Sequence, residues 1–135
     1  MKMKIEHIGI AVQSLDTAEK LYTILLNTPP YKREAVESES VITSFFQAGD
    51  TKIELLEATD ETSAIARHIA RRGEGMHHIA IEVADIHKEM ARLRAEGVRL
   101  LNEFPKKGAD NKLICFLHPK DCGGVLVEIC QEIRE

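Results

Sequence analysis

Short runs of alternating apolar and polar residues recur along the chain and predict β-strands, because a strand with one buried face alternates with a period of two. The runs cover approximately residues 4–12, 41–48, 52–56, 77–83, 113–117 and 125–130. Gly49-Asp50 separates the second run from the third and predicts a hairpin. The polar segment 31–40 is open to two interpretations, a third short strand or a loop.

Helical periodicity fills the intervals between these runs. Asp16 is the predicted N-cap of a first helix, with Glu19 completing a capping box and one apolar face formed by Ala18, Leu21, Tyr22 and Leu25. A shorter helix is predicted over residues 62–72. A later helix is predicted to begin after Asp85 and to end at Gly97, with a core face formed by Ile86, Met90 and Leu93.

The pattern of the first half of the chain returns in the second half. The segment HIGIAV begins at His7 and HIAIEV begins at His78, an offset of 78 − 7 = 71. Glu54 and Glu128 each lie between apolar residues, an offset of 128 − 54 = 74. Each half therefore predicts a strand, a helix and two or three further strands. We expect one α+β domain over residues 1–135, with two tandem βαβββ modules at approximately 1–58 and 75–135, a helical linker over 59–74, and a curved mixed sheet around a metal site.

The duplicated His and Glu are the candidate chemistry. A single strand His is usually a hydrogen-bonded core residue, and a single strand Glu usually faces solvent, but an in-register repeat of both favours a shared role. A carboxylate within an apolar strand is costly unless it is paired or bound to a cation. We therefore expect one metal site formed by His7, Glu54, His78 and Glu128. This donor set suits divalent transition metals, and four protein ligands in an octahedron leave two positions for substrate oxygens.

The remaining histidines are predicted to have no ligand role. Strand alternation directs His77 to the face opposite His78. His68 and His87 are expected on helix surfaces. His118 could face a substrate, but a structural role is favoured.

Composition limits the function classes. The chain has 135 residues, 44% of them hydrophobic and 30% charged, with a formal net charge of −4, which argues against a general nucleic-acid binder. No apolar run approaches a membrane span, and the first residues lack the apolar segment of a secretory signal. Cys115, Cys122 and Cys130 form no metal-type Cys-x-x-Cys pair, which favours a reduced, cytoplasmic protein.

Three stretches resemble a known family: EHIGIAV, TKIELLEATDETSAIARHIARRGEGMHHIAIEV and FLHPKDCGGVLVEI. They resemble the vicinal oxygen chelate (glyoxalase/bleomycin resistance) superfamily and, within it, the methylmalonyl-CoA epimerases. The resemblance implies paired modules around one divalent metal (Co²⁺ first, with Zn²⁺, Ni²⁺ or Mn²⁺ as alternatives), a homodimer and an acyl-CoA substrate. It places the metal ligands at His7, Glu54, His78 and Glu128, with glutamine replacing Glu54 in some relatives.

The implied reaction interconverts the (R) and (S) epimers of methylmalonyl-CoA by proton transfer through an enolate. Glu128 is expected to combine ligation with an acid–base role. Some family members carry a second catalytic glutamate where this chain has Thr43, so Glu37 or Glu39 could supply it from the polar segment. Cations available for the CoA phosphates are Lys106, Lys107, Lys112, Lys120, Arg71 and Arg72.

Two alternatives remain open. One is a glyoxalase I-like lactoylglutathione lyase, which uses a similar His/Glu set on a glutathione hemithioacetal. The other is a non-enzymatic protein of the same fold that binds a small molecule without a metal.

Overall fold

The computed structural model describes residues 2–134, which form two compact units. The first unit contains residues 7–77, and the second contains residues 2–6 and 78–134. In chain order the elements are β1 (Lys4–Ala11), α1 (Leu15–Leu26), β2 (Lys32–Val36), β3 (Val41–Ala48), β4 (Thr51–Ala58), α2 (Ala64–Arg72), β5 (Gly75–Glu82), α3 (Ile86–Ala95), β6 (Lys106–Lys107), β7 (Lys112–Leu117) and β8 (Val127–Glu132). The predicted βαβββ order is therefore confirmed twice, as is the α+β class. No helix among residues 2–134 has the length and apolar character to cross a membrane.

The first unit is a mixed sheet in the order β2-β3-β4-β1, to which β1 contributes residues 7–11. These residues run parallel to β4, and the other pairs are antiparallel. Its two faces have different contents. One face packs against α1 through a cluster of Val12, Leu15, Ala18, Phe46 and Leu55. The other carries Ala11, Val41 and Leu56, which pack with Ile65 of α2. Segment 31–40, for which the sequence permits a strand or a loop, contains a strand, β2, followed by a 3₁₀ turn at Glu37–Glu39.

Two predictions about α1 are wrong in detail. The N-cap is Ser14, whose Oγ accepts a hydrogen bond from the Thr17 backbone N–H at 3.2 Å, so that Asp16 lies inside the first turn. There a carboxylate meets the positive end of the helix dipole. The face that meets the core consists of Leu15, Ala18, Tyr22 and Leu26, whereas Leu21 and Leu25 are 52% and 62% exposed. Because apolar residues surround most of this helix, periodicity alone did not identify the buried side.

The second unit repeats the arrangement in the order β5-β8-β7-β6, with β5 parallel to β8. Helix α3 covers one face, where Ile86 and Met90 pack with Val83, Cys115 and Ile129. Its predicted N-cap is confirmed, since the Asp85 carboxylate accepts a hydrogen bond from the Lys88 N–H at 3.1 Å. The opposite face holds Ala80, Ile114 and Cys130.

An equivalent hydrogen bond joins the start of a helix to the sheet in each unit. The Leu15 backbone N–H at the start of α1 donates to Glu57 Oε1 at 2.6 Å, and the Ile86 N–H at the start of α3 donates to Gln131 Oε1 at 2.7 Å. Each acceptor stands three residues after the Glu of the sequence repeat (54 + 3 = 57; 128 + 3 = 131). The first N–H groups of a helix have no partner within the helix, so these side chains satisfy one of them in each unit.

Candidate functional site

In the first unit, His7 and Glu54 form a buried pair on the sheet face opposite α1. The parallel register of β1 and β4 places Gly9 beside Glu54. His7 precedes Gly9 by two residues and therefore points to the same face. His7 Nδ1 lies 3.1 Å from Glu54 Oε2, and the two side chains are 6% and 5% exposed. Because glycine has no side chain, it leaves the space between them clear.

The second unit contains the same pair at the same register. Here Ala80 lies beside Glu128 across β5 and β8, and His78 precedes Ala80 by two residues. His78 Nε2 lies 3.6 Å from Glu128 Oε1, with side chains 6% and 5% exposed. Again the residue beside the glutamate is small. The sequence repeat thus corresponds to the same backbone register in both units, each with one imidazole and one carboxylate within 4 Å, although His7 approaches its glutamate through Nδ1 and His78 through Nε2.

Aromatic side chains border both pairs. Phe45 is the cross-strand neighbour of Glu54 and is fully buried. Phe116 is the cross-strand neighbour of Glu128, and its ring meets the His78 ring edge-on at a centroid distance of 5.9 Å. These rings keep water from the carboxylates and so strengthen the electrostatic interactions of the pairs.

The buried pairs fit a divalent transition metal by their donor chemistry. Each pair offers an imidazole nitrogen and a carboxylate oxygen, the mixed set that such ions prefer, whereas calcium would take oxygen ligands alone. A buried carboxylate also has to be neutralised by a partner. Cys130, two residues after Glu128, is not a comparable donor, because burial, reinforced by the negative charge of Glu128, raises the pKa of its thiol far above the ordinary range.

The other histidines lie where the sequence pattern predicted no ligand role. The His77 ring packs edge-on against the His68 ring of α2 at a centroid distance of 5.0 Å. Burial, reinforced by the nearby charge of His68, lowers the pKa of His77 to about 4. His87 is exposed on α3. His118 accepts a hydrogen bond at Nδ1 from the Lys120 N–H at 3.2 Å and caps the 3₁₀ turn Pro119–Cys122.

Thr43, the position at which the family resemblance implies a catalytic glutamate in some members, is 1% exposed and lies on the same face as Glu54. This follows from the register, since Phe45 lies beside Glu54 and Thr43 is two residues before Phe45. On the next strand, Glu34 lies beside Thr43. Sequence reasoning missed Glu34 because alternation can be applied only once a strand is recognised, and segment 31–40 gave no clear strand signal. Glu37, by contrast, is exposed on the 3₁₀ turn.

The expected phosphate-binding cations separate into two groups. Lys112 is 7% exposed, and its Nζ lies 3.5 Å from Glu82 Oε1, so it belongs to a buried ion pair. Lys4 pairs with the other oxygen of Glu82 at 3.7 Å. Lys106 and Lys107 instead form the edge strand β6, and Lys120 is exposed on the 3₁₀ turn. Lys112 therefore leaves the set of candidate phosphate ligands.

Comparison with known proteins gives consistent results. Residues 6–116 match the family model for the glyoxalase/bleomycin resistance protein/dioxygenase superfamily. The chain is 39% identical over 129 residues to the human mitochondrial methylmalonyl-CoA epimerase, covering 95% of this chain and 73% of that protein. It is 38% identical over 130 residues to an ethylmalonyl-CoA/methylmalonyl-CoA epimerase of Cereibacter sphaeroides, covering 95% and 97%.

A solved structure shows the same fold. A variant of the Streptomyces coelicolor methylmalonyl-CoA epimerase, in complex with 2-nitronate-propionyl-CoA, superposes with a TM-score of 0.92 at 36% identity. The match covers 97% of this chain and 98% of that one.

Proposed function

The chain belongs to the glyoxalase/bleomycin resistance protein/dioxygenase superfamily. From its similarity to named methylmalonyl-CoA epimerases within it, we propose that it is a metal-assisted methylmalonyl-CoA epimerase. It would interconvert the (R) and (S) epimers by removing and returning the proton on the carbon between the thioester and the carboxylate. The observation that carries the proposal is the duplicated, buried His–Glu pair in a chain that is 39% and 38% identical, over 95% of its length, to two proteins named as epimerases of this substrate.

We propose that His7, Glu54, His78 and Glu128 together hold one divalent metal. The support is that each unit supplies one buried His–Glu pair, and that the two pairs are equivalent by register. Co²⁺ is the expected ion by resemblance to the family, with Zn²⁺, Ni²⁺ and Mn²⁺ as alternatives. A metal held there would act as a Lewis acid on substrate oxygens and lower the cost of the developing enolate charge.

The chain's own groups perform the proton transfers. We propose Glu128 as one acid–base residue, because a carboxylate can accept the substrate proton and later return one. Glu128 is buried, and Phe116 is its cross-strand neighbour. No redox cofactor takes part, since the reaction leaves the oxidation state of the substrate unchanged.

The CoA part of the substrate carries phosphates, which require cations. Lys106 and Lys107 on β6 and Lys120 on the 3₁₀ turn are the proposed partners, with Arg71 and Arg72 at the end of α2 as further candidates. Of the lysines named from the sequence, these three are the ones outside the buried ion pair with Glu82.

We also propose a homodimer in the cytoplasm. The support for self-association is an exposed apolar stripe on α1, where Leu21, Ile24 and Leu25 are 52%, 77% and 62% exposed at helical spacing. Such a stripe is costly to leave in water. Light scattering with size-exclusion chromatography would give the mass, and a monomer at micromolar concentration would contradict the assembly without affecting the proposed chemistry.

The decisive experiment is solvent-deuterium incorporation into methylmalonyl-CoA, with and without a chelator, on protein whose metal content has been measured. We expect about one equivalent of transition metal, rapid exchange and inversion of the α-carbon, and loss of both on chelation. A glutathione hemithioacetal tested in parallel should not be isomerised. Turnover of the hemithioacetal in preference to the CoA ester, or full activity after removal of the metal, would contradict the proposal.

A further inference from the structure

Glu34 is a carboxylate on the ligand-bearing face of the first unit with no role so far. The antiparallel register of β2 and β3 pairs Glu34 with Thr43, and that of β3 and β4 pairs Thr43 with Leu56. Leu56 is two residues from Glu54 on the same strand. Because residues paired across strands share a face and alternate residues return to it, Glu34 lies on the side of the sheet that carries Glu54.

The neighbours of Glu34 hold it in place without covering it. Lys32 Nζ lies 3.3 Å from Glu34 Oε1. The same ammonium lies over the Phe45 ring at 4.8 Å from its centroid, and the Tyr31 ring stacks on Phe45 at 5.8 Å. The Glu34 side chain remains 34% exposed. A small ligand on this face can therefore reach a carboxylate whose orientation is already restricted.

The distance from Glu54 argues against ligation and for action on a bound substrate. Two strand spacings of ~4.8 Å and two residues along the strand separate the backbones of Glu34 and Glu54. Among the described residues, the donor atoms that lie within 4.8 Å of His7 and Glu54 do not include those of Glu34. The separation leaves room for the few carbons of a small dicarboxylate thioester. Thr43, which lies between them in the sheet, has a hydroxyl that does not serve as a base at neutral pH.

The second unit shows that the strand does not require this carboxylate. In the register of β6 and β7, Lys106 pairs with Ile114, and Ile114 stands two residues before Phe116 as Thr43 stands two before Phe45. The position equivalent to Glu34 is thus a lysine, and the position equivalent to Thr43 is an isoleucine. The fold of the repeat therefore does not require a carboxylate at this position, and Glu34 is a feature of the first unit alone.

We propose that Glu34 is a second proton-transfer residue of the epimerase and shares with Glu128 the two proton transfers that inversion requires; this inference rests on the proposed function. In one direction the α-carbon C–H bond breaks, the proton passes to the Glu34 carboxylate, and the electron pair moves onto the thioester carbonyl oxygen to give the enolate. The Glu128 carboxylic acid then donates its proton to the opposite face as the electron pair returns to form the new C–H bond. Glu34 ends protonated and Glu128 ionised, ready for the reverse direction, and exchange with solvent restores the starting states.

The test compares Glu34→Gln with Glu34→Asp and with Glu61→Gln, an exposed carboxylate of the same unit. We expect Glu34→Gln to lower kcat for epimerisation by about 10²–10³-fold with KM within about threefold, since general acid–base catalysis contributes about 10²–10⁴-fold. Glu34→Asp should recover part of the rate, and Glu61→Gln should match the unsubstituted protein. Melting temperature and metal content should be equal in all four proteins.

Deuterium exchange distinguishes a proton-transfer role from a structural one. In D₂O, Glu34→Gln should still exchange the α-proton of one epimer, the one whose proton faces Glu128, and should fail with the other. Equal loss of exchange from both epimers, an unchanged kcat, or the same loss in Glu37→Gln but not in Glu34→Gln would overturn the inference about Glu34. None of these results would contradict the proposed function of the unsubstituted protein. Failure of the unsubstituted protein to epimerise would instead overturn the proposed function.

Discussion

The two units share a scaffold and a pair of metal-type donors but differ in the side chains around those donors. Both place His two residues before a small residue that lies beside Glu, and both lock a helix to the sheet through the side chain three residues further on. At the periphery of the same faces, the first unit presents Glu34, whereas the equivalent position of the second unit is Lys106. The two units are therefore alike at their His–Glu pairs and differ in the residues that surround those pairs.

A second difference lies at the fourth residue after each His. Ala11 in the first unit is part of an apolar cluster. The equivalent Glu82 accepts ion pairs from Lys112 and Lys4. A substrate with a thioester on one side and a carboxylate on the other is itself unsymmetrical, so two identical half-sites could not distinguish its ends. We infer that the residues repeated in both units bind the metal, and that the residues that differ between the units orient the substrate.

The largest expected effect tests whether both units contribute to one metal. His7→Ala and His78→Ala should each lose most of the bound metal and lower the epimerisation rate by at least about 10³-fold, because removing a protein ligand opens the coordination sphere. Elemental analysis and circular dichroism would accompany the assay, with the exposed His87→Ala as control. Retention of metal and activity by either variant would show that the substituted histidine is not a ligand.

The second-largest expected effect distinguishes the acid–base role of Glu128 from the role of Glu54. We expect Glu128→Gln to lower kcat by about 10³-fold, since an amide cannot transfer the proton. Glu54→Gln should stay within about tenfold, because its amide oxygen remains a ligand and glutamine occupies this position in some relatives. Steady-state rates on both proteins, each loaded with the same metal, give the comparison. Equal losses would mean that the units share the acid–base work in a different way from the one proposed.

A smaller effect concerns the helix locks. Glu57→Ala should reduce the free energy of unfolding by about 1.5–3 kcal/mol, since a charged acceptor at a helix N-terminus is stronger than a neutral one. Gln131→Ala should cost about 0.5–1.5 kcal/mol. Urea unfolding of both variants at pH 7 measures the difference. If Gln131→Ala proved the more destabilising, the interpretation of the contact as charge-assisted in the first unit would be wrong.

The smallest effect concerns the loops that join the last two strands of each unit. The first unit uses a two-residue turn, whereas residues 118–126 connect β7 to β8 in the second. There Arg99 donates three hydrogen bonds to the Asp121 carboxylate at 2.8–3.0 Å, which hold the pKa of Asp121 at about 2. The folded-state pKa is depressed, so the contribution to stability is present above pH 4 and is lost as pH falls through about 2.

Asp121→Asn should therefore lower the unfolding midpoint slightly at pH 5–7, and the difference from the unsubstituted protein should shrink toward pH 2. Urea unfolding across this range, with Asp50→Asn in the short turn as control, measures it. A difference that grew on acidification would contradict the sign of this argument.

The sequence alone predicted the two modules, the start of one helix and the first hairpin. The repeat of His7 and Glu54 at His78 and Glu128 predicted two equivalent modules, because a strand's period of two fixes which residues share a face once one pair is known. Asp85 predicted the start of α3, and Gly49-Asp50 the first hairpin, since caps and tight turns depend on local chemistry. Only tertiary structure decided the buried side of α1, the burial of Lys112 and the existence of β2. Each depends on what packs against or pairs with the segment, and a strand as polar as β2 is defined by its hydrogen bonds to β3 and not by its own pattern.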